Sequence, residues 1–249
     1  MARGAQIVLF TDFGLDGIYT AQVEHVLNCR APDSPVLNYV ALAPRSNPRA
    51  ASYLVEPYTR RFAERTVFVC VIDPGVGSYK DQPVALFADG RWYVGPDNGL
   101  FEQVRRRSQE VRTHPLLIDV GDSSISASFY GRDLYAPVAA DLACGRTPHH
   151  PASSGRRFDW PDDLFEVVYV DHYGNGITGA RASALEGVRT IRIGGTTVPR
   201  ARTFSDVEPG EPLFYVNANG LIEVAVNLGR ADRALGLEAG TPFAAQWQF

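Results

Sequence analysis

Cysteine, long apolar runs and excess positive charge are all scarce in this sequence of 249 residues. The three cysteines, Cys29, Cys70 and Cys144, stand far apart with no CxxC spacing, which argues against a disulfide framework and indicates reduced thiols. No apolar run approaches the roughly 20 residues of a membrane-spanning helix. The N-terminus has no signal-peptide pattern, so we expect a cytoplasmic protein without membrane segments.

The charge balance narrows the classes of partner. With 24 basic and 28 acidic residues the formal net charge is −4, so no positive field gathers a polyanion and we expect no nucleic-acid partner. The five histidines form no cluster with zinc-ligand spacing, so we expect no metal. The glycine patterns of dinucleotide sites and of P-loops are missing. A nucleotide-like ligand would therefore be a nucleoside without a polyphosphate.

The sequence divides into two halves of different pattern. In the first half, short β-rich runs alternate with amphipathic stretches, which is typical of a mainly parallel sheet with covering helices. A stretch rich in Pro, His, Ser and Gly follows from 147 to 161, and beyond it all the runs resemble short strands, as in a small barrel or sandwich. We predict an α/β domain over 1–158 and a smaller all-β, barrel-like domain over 159–249.

The same patterns predict individual elements. In the first half, strands are expected over 7–10, 36–40, 66–72, 84–87 and 92–94, and helices over 17–29, 47–56, 100–107 and 134–144. Asp89-Gly90 predicts a hairpin turn between the last two of these strands. In the second half, strands are expected over 165–171, 188–193, 196–199, 212–217 and 221–226.

Four segments in the first half are expected to place an acid or an amide beside glycine at the end of a strand. They are Thr11–Gly14, Asp73–Ser78, Pro96–Gly99 and Tyr130–Asp133. Each segment alone is typical of an ordinary turn. Because a parallel sheet displays ligand-binding groups at the carboxyl ends of its strands, the four together indicate one polar site.

Individual residues of these segments suit particular roles. Asp12 directly follows the first strand, where an acid accepts hydrogen bonds from ribose hydroxyls. Asp73 follows an apolar run, so we expect a partly buried carboxylate suited to act as a base. In the second half, Asp171 offers a carboxylate for an ammonium group and Asn175 an amide for a base edge, although a simple hairpin loop stays an alternative for this segment.

The order and spacing of these segments resemble the S-adenosyl-L-methionine (SAM) hydroxide adenosyltransferase family, relatives of fluorinase and chlorinase. The resemblance covers nearly the whole chain, through the four segments above together with Ala136-Pro137 and Gly174-Asn175. It implies an N-terminal α/β domain, a C-terminal β-barrel, and a homotrimer whose active sites lie between the N-terminal domain of one subunit and the C-terminal domain of a neighbour.

The resemblance also implies roles for single residues. Asp12 would hold the ribose hydroxyls, Asp171 the methionine ammonium and Asn175 the adenine. Phe129 would line the pocket near the ribose. The further motif residues assigned to substrate binding are Asn98, Gly131 and Arg132.

The nucleophile is indicated by Asp73, because the halogenases that this family resembles carry tyrosine at this position. A carboxylate beside the line of attack repels a halide but accepts a proton from water. The resemblance therefore implies attack of water on the ribose C5′ of SAM, with adenosine and methionine as products. SAM is then the substrate, and no cofactor is expected.

Two departures from the family pattern concern the catalytic group. Lys80 stands where family hydrolases pair Asp73 with arginine, and Tyr130 stands where they have histidine. The expected catalytic set is therefore Asp73, Lys80 and Tyr130. Lysine lacks the planar fork that locks a carboxylate, and a tyrosine hydroxyl is a poor base at neutral pH, although it still hydrogen-bonds a water.

A third departure concerns the methionine carboxylate. Ala218 replaces the serine that often contacts it, and we expect Arg45 to bind the carboxylate instead. Because of the departures, two other functions stay open. One is a SAM- or adenosine-binding protein without turnover, and the other is transfer of a different nucleophile, including halide.

Overall fold

The computed structural model describes residues 4–78, 80–117, 124–148, 150–153 and 155–246. The chain divides into two compact units, Met1–Asp159 and Trp160–Phe249. None of the helices within the described ranges combines the length and the apolarity that a membrane span requires.

The first unit is a six-stranded sheet with helices packed on it. The strands are β1 (Ile7–Thr11), β2 (Val36–Val40), β3 (Val67–Val71), β4 (Pro83–Ala88), β5 (Arg91–Pro96) and β6 (Val111–Pro115). The helices are α1 (Ile18–Arg30), α2 (Pro48–Thr59), α3 (Glu102–Arg107) and α4 (Ala136–Ala143), and a π-helical turn, Gly131–Tyr135, leads into α4.

The strand order of this sheet is β2-β1-β3-β5-β4-β6. Strand β1 is parallel to both β2 and β3, and β3 is parallel to β5. Strand β4 runs antiparallel to β5 and β6. The chain leaves β1 for β2 on one side and returns to β3 on the other, so a crevice is expected where the carboxyl ends of β1 and β3 diverge. The predicted α/β unit with parallel strands is thus confirmed.

Burial on both faces explains why the central strands are continuous apolar runs. All five residues of β1 and all five of β3 are buried. On one face, Val23 and Leu27 of α1 join Ala139 and Ala140 of α4 in the apolar core. The small alanine side chains allow α4 to lie close to the sheet, which also brings the preceding π-helical turn near the ends of the strands.

The predicted strands omit three that the described residues form, β6, β8 (Gly176–Arg181) and β13 (Phe243–Gln246). Only Thr113 of β6 is fully buried, and the strand lies at the edge of the sheet, so it has neither an apolar run nor a regular alternation. The predicted hairpin between β4 and β5 is confirmed. Its turn residues Asp89 and Gly90 have φ of 42° and 81°, the left-handed pair that tight hairpins require.

The second unit consists of antiparallel sheets. Its strands are β7 (Leu164–Val170), β8 (Gly176–Arg181), β9 (Thr190–Ile193), β10 (Thr196–Pro199), β11 (Pro212–Val216), β12 (Leu221–Val226) and β13, with a short helix α5 (Ala231–Ala234). The sheets have the orders β11-β12-β8-β7 and β10-β9-β13. Their buried side chains, among them Ile191, Val198, Phe214 and Val224, form one core.

The expected barrel is not confirmed for the described part of this unit. Continuous hydrogen-bonded ladders stop at the edges of the two sheets. Among the described residues of this unit, only the isolated bridges Glu166 to Pro242 and Arg200 to Phe214 link one sheet to the other. Two antiparallel sheets therefore describe this unit better than a closed barrel.

A close approach between β3 and β5 gives the first testable prediction. A Cβ atom on Gly95 would overlap the backbone carbonyl oxygen of Cys70 and lie 3.1 Å from the ring of Phe101. Because a backbone atom cannot rotate away, Gly95→Ala should lower the free energy of unfolding by about 2 to 3 kcal/mol, measured by urea unfolding.

The matched control is Gly145→Ala. A Cβ at Gly145 meets no atom within 4 Å, so its φ of 80° is the only source of strain. This change should cost about 1 to 2 kcal/mol. Gly95→Ala with no greater effect than the control would show that β3 and β5 separate easily.

Candidate active site

Two acidic residues lie where β1 and β3 end. Asp12 directly follows β1, and its backbone N–H donates to the carbonyl oxygen of Val71 in β3 at 3.4 Å. Asp73 lies two residues beyond the end of β3. The Asp12 carboxylate accepts a hydrogen bond from the backbone N–H of Ser46 at 2.8 Å, and Arg45 beside Ser46 is exposed. Asp12, Asp73 and the Arg45 loop thus lie at the switch point of the sheet.

The environment of Asp73 favours its protonated form. Burial raises the pKa of the Asp73 carboxyl from 3.8 to about 6, and the negative charges of Asp81 and Asp12 act in the same direction. Hydrogen bonds from the Gly75 backbone and the Tyr135 hydroxyl oppose the rise. A carboxylate with a pKa near 6 is ionised at neutral pH yet basic enough to accept a proton from a reacting water.

Tyr135 is the tyrosine that contacts Asp73. Its hydroxyl donates to Oδ2 of Asp73 at 3.4 Å. Burial, followed by the charge of Asp73, raises the pKa of Tyr135 well above 10, so the hydroxyl keeps its proton and acts as a donor. Tyr130, the tyrosine selected from the sequence, is 7% exposed and its ring meets Tyr135 edge-on, with centroids 6.4 Å apart.

The π-helical turn explains why sequence reasoning missed Tyr135. The backbone N–H of Ala136 donates to the carbonyl of Gly131, five residues earlier, which is the bond that defines this turn. The spacing of five between the two tyrosines fits such a turn. A π-helical turn is rare, however, and the sequence carries no other sign of it.

Lys80 does not pair with Asp73. Its side chain is exposed, and the described residues include no ion pair within 4.0 Å between Lys80 and a carboxylate. Asp81, the next residue, acts on Asp73 instead: a Cβ on Gly75 would be 3.1 Å from Asp81 Oδ2 and 3.7 Å from Asp73 Oδ1. A positive charge reaches this turn from Arg156, whose Nη1 lies 2.9 Å from Asp81 Oδ1.

The Pro96–Gly99 segment fastens the end of β3. The buried Asn98 amide donates to the carbonyl oxygen of Ile72 at 2.9 Å, and Asn98 Oδ1 accepts from the backbone of Leu100 at 3.3 Å. Asp97 Oδ1 lies 2.7 Å from Nη1 of Arg105, whose side chain is fully buried. In this structure Asn98 therefore holds the residue before Asp73.

Aromatic rings form a wall that includes Phe129. The ring centroids of Phe13, Tyr19 and Phe129 lie 5.3 to 5.9 Å apart. A Cβ on Gly131 would be 3.1 Å from the Phe13 ring and 3.2 Å from the Phe129 ring, which explains the glycine. The partly exposed ring of Phe129 leaves an aromatic surface for a ligand.

Arg132 supports this wall. Its guanidinium lies 5.2 Å from the centre of the Phe129 ring and forms two hydrogen bonds to Asp133, at 2.6 and 2.9 Å. A third bond, from Nη1, reaches Gln22 of α1 at 2.9 Å. The Arg132 guanidinium beside it holds the pKa of the Asp133 carboxyl below its usual range. Most of the donors of Arg132 are thus used within the protein.

The second unit holds the other two predicted residues. Asp171 Oδ1 accepts the backbone N–H of Asn175 at 2.8 Å, and Oδ2 accepts the Asn175 amide at 3.2 Å. Both residues line an open cavity of about 570 Å³, a size that suits a small-molecule ligand. The other lining residues are Tyr173, Phe204, Tyr215, Glu223, Val226, Asn227, Leu228 and Gly229.

The acids at the sheet switch point, the aromatic wall, and the cavity of the second unit lined by Asp171 and Asn175 define a class of protein that binds a nucleoside-like ligand. The family models described as the SAM hydroxide adenosyltransferase N-terminal domain and C-terminal domain match residues 7–152 and 165–244. The chain belongs to the SAM hydroxide adenosyltransferase family.

Several named proteins are similar over nearly their full length. An (R)-S-adenosyl-L-methionine hydrolase of Thermus thermophilus is 37% identical over 95% of this chain and 97% of its own length. A protein of the same name from Salinispora tropica is 35% identical over 96% and 97%. A fluorinase of Actinopolyspora mzabensis is a more distant relative, at 26% identity over 94% of each chain.

The fold is also found in solved structures. The crystal structure of an uncharacterized conserved protein from Thermotoga maritima superposes with a TM-score of 0.85, at 26% identity over 96% of this chain and 99% of that one. The likeness therefore covers both units.

The raised pKa of Asp73 predicts a stability change with pH. The unfolded chain ionises this carboxyl near pH 3.8, whereas the folded chain holds the proton to about pH 6, so the contribution of Asp73 to stability falls as pH rises between these values. Asp73→Asn should therefore raise the free energy of unfolding at pH 8 by about 1 to 2 kcal/mol, allowing for solvent screening, and by little at pH 4.

Urea unfolding at the two pH values measures this difference. Asp141→Asn is the control, because its carboxylate pairs with Arg146 on the surface at 2.5 Å and should not gain stability on removal. A loss of stability for Asp73→Asn at pH 8 would contradict the account of Asp73 as a desolvated carboxylate.

Proposed function

We propose that this chain hydrolyses SAM: water attacks the ribose C5′ and releases adenosine and L-methionine. The relatives are named for the (R) form of the substrate, and we propose the same sulfonium epimer here. The observation that carries the proposal is the Asp73 carboxylate, partly desolvated at the switch point and hydrogen-bonded by Tyr135.

The chemical step needs few groups. The water oxygen forms a bond to C5′ while the C5′–S bond breaks, and the bonding electron pair stays on sulfur, which leaves as the neutral thioether of methionine. Asp73 accepts the proton of the water and later passes it to solvent. Because the leaving group is neutral, no acid has to protonate it. Alignment of water, C5′ and sulfur, together with exclusion of bulk solvent, is the main task of the protein.

Two features support Asp73 as a base rather than as a halide-binding group. Its negative charge repels an anionic nucleophile, and the nearby carboxylates Asp81 and Asp12 add to that repulsion. Tyr130, buried beside Tyr135, is proposed to hold the water by a hydrogen bond. Lys80 is exposed at the end of the turn, and its positive charge is its only proposed contribution to the catalytic set.

The substrate contacts follow the chemistry of each part of SAM. We assign the ribose hydroxyls to Asp12, the ribose face to Phe129, and the substrate carboxylate to Arg45. In the second unit, Asp171 suits the ammonium and Asn175 the adenine edge. Asn98, Gly131 and Arg132 belong to the proposed binding set as supports, since their contacts hold β3 and the aromatic wall.

The finer points of organisation are also proposals. We propose that the boundary between the two domains follows residue 158 and that the second domain is barrel-like in the assembled protein. We also propose that the chain forms a homotrimer that acts in the cytoplasm. The reaction as written consumes only SAM and water, so we propose that no cofactor takes part. The described residues contain no group of three or more His, Cys, Asp or Glu side chains arranged to hold a metal.

One observation favours a second function, which is SAM binding without turnover. Lys80 is exposed and does not hold Asp73, so the arginine expected from the family pattern has no replacement at that position. A carboxylate that is not held in line with C5′ could contact a water molecule in the pocket without activating it for attack, so SAM would bind but would not be hydrolysed. Turnover separates the two functions.

The central prediction is adenosine formation. Purified protein incubated with the separated (R) and (S) epimers of SAM should release adenosine and methionine, preferentially from (R). Asp73→Asn should lower kcat at least about 100-fold because the proton acceptor is lost. Chromatography of the products, with and without added chloride or fluoride, measures this.

Each outcome is decisive. Formation of a halogenated nucleoside in the presence of halide would show that the protein transfers halide instead of hydrolysing SAM. Saturable SAM binding without products would favour the binding protein. Full activity of Asp73→Asn would overturn Asp73 as the base.

The two tyrosines give a matched pair of variants. Tyr135→Phe removes a hydrogen bond that lowers the pKa of Asp73, so the acid limb of the pH–rate profile should move to higher pH. Tyr130→Phe should lower kcat several-fold, roughly as for loss of one hydrogen bond, without moving that limb. Identical profiles for both variants would show that neither contact has the role assigned to it.

A further inference from the structure

We propose that Asp81 and Arg156 are positioning residues for Asp73, with Arg156 taking the charge-compensating role for which the sequence pattern offers Lys80. The inference rests on the proposed function, because it concerns how Asp73 is tuned as a base. It follows from the contacts of the turn after β3 and of the segment around 156, not from the family pattern.

The first support is geometric. Both carboxylates approach Gly75, since a Cβ atom placed on this residue would lie 3.1 Å from Asp81 Oδ2 and 3.7 Å from Asp73 Oδ1. The opposite oxygen of Asp81 binds Arg156 Nη1 at 2.9 Å. Asp81 therefore has one oxygen beside Gly75, which Asp73 also approaches, and the other on a guanidinium. Its negative field, which raises the pKa of Asp73, depends on that partner.

The second support is that Arg156 is held in place. Its backbone N–H donates to Asp97 Oδ2 at 3.0 Å, and its carbonyl oxygen accepts from Arg105 Nη1 at 3.2 Å. Its guanidinium also lies 4.7 Å from the centre of the Phe158 ring. The buried Asp97–Arg105 pair thus anchors the backbone from which Arg156 reaches Asp81.

The charged and titratable groups around Asp73 come from three elements, and a fourth segment reaches one of these groups. Asp81 lies in its own turn, Asp12 follows β1, and Tyr135 belongs to the π-helical turn, with Tyr130 beside it. Arg156 reaches Asp81 from the segment that follows α4. Among these groups Arg156 carries the positive charge, whereas Lys80 is exposed at the end of the turn.

This arrangement predicts opposite effects from the two members of the pair. Asp81→Asn removes a negative charge, so Asp73 should lose its proton more readily and the acid limb of the pH–rate profile should move to lower pH. Arg156→Gln leaves Asp81 uncompensated, so the limb should move to higher pH. Each shift should be roughly half a unit to one unit, as for two charges several ångströms apart near a protein surface.

Two further variants control the interpretation. Arg156→Lys keeps the positive charge, so its acid limb should lie closer to that of the unaltered protein than the acid limb of Arg156→Gln does. Glu110→Gln breaks another ion pair, Glu110 to Arg112 at 3.0 Å with both side chains more than half exposed, and should leave the limb in place. Arg156 is itself 54% exposed, so its replacement should not prevent folding.

The experiment measures the coupling twice. The full chain is labelled with aspartate carrying ¹³C in its side-chain carboxyl, and Asp73→Asn identifies the Asp73 signal. Its titration is followed by NMR in the unaltered protein and in each variant, beside the pH–rate profile for adenosine release. The NMR titration does not require turnover, so failure of this inference and failure of the proposed function are distinguishable.

Opposite shifts for Asp81→Asn and Arg156→Gln in the titration support the inference, whether or not adenosine forms. Shifts in the same direction, or a titration unchanged in both variants, would overturn it. Adenosine formation with unchanged titrations would leave the hydrolase proposal intact and reject the positioning role of the pair.

Discussion

The parallel pairing of β1 with β3 is the constraint on which the candidate site depends. It places the residue after β1 and the turn after β3 at one edge of the sheet, and the bond from the Asp12 N–H to the Val71 carbonyl continues that pairing beyond the regular strands. Since the chain turns away in opposite directions from β1, the space above these two strand ends is left open. Two carboxylates can then face a ligand without meeting in the core.

Desolvation of Asp73 depends on the groups that prevent its turn from moving into solvent. The Asn98 amide holds the Ile72 carbonyl, and the buried Asp97–Arg105 pair fixes the neighbouring segment. A carboxylate kept partly buried costs folding free energy at neutral pH, and that same cost makes it a better proton acceptor. The unfavourable ionisation of the Asp73 carboxyl at the end of a strand is thus consistent with a catalytic role.

The departures from the family pattern take on a different meaning with the structure. Lys80 and Tyr130 occupy the positions at which the resemblance implies arginine and histidine, yet Asp73 is contacted by Tyr135 and influenced by Asp81, which Arg156 neutralises in part. A hydroxyl donor at the carboxylate and a guanidinium near its turn are present, and they come from other points of the chain. A loss at one aligned position is therefore not in itself a loss of chemistry.

The sequence by itself determined the α/β unit, the all-β character of the second unit and the acids at the strand ends, because apolar runs, glycine turns and strand-end acids are local patterns. It also pointed to the hairpin at Asp89-Gly90. Tertiary structure alone decided that Tyr135 reaches Asp73 and that Arg156 lies beside the turn after β3. The first contact joins residues that are 62 positions apart in the chain, and the second joins residues that are 75 positions apart. One depends on a rare π-helical turn and the other on a segment without periodicity, and no local sequence pattern encodes contacts over such separations.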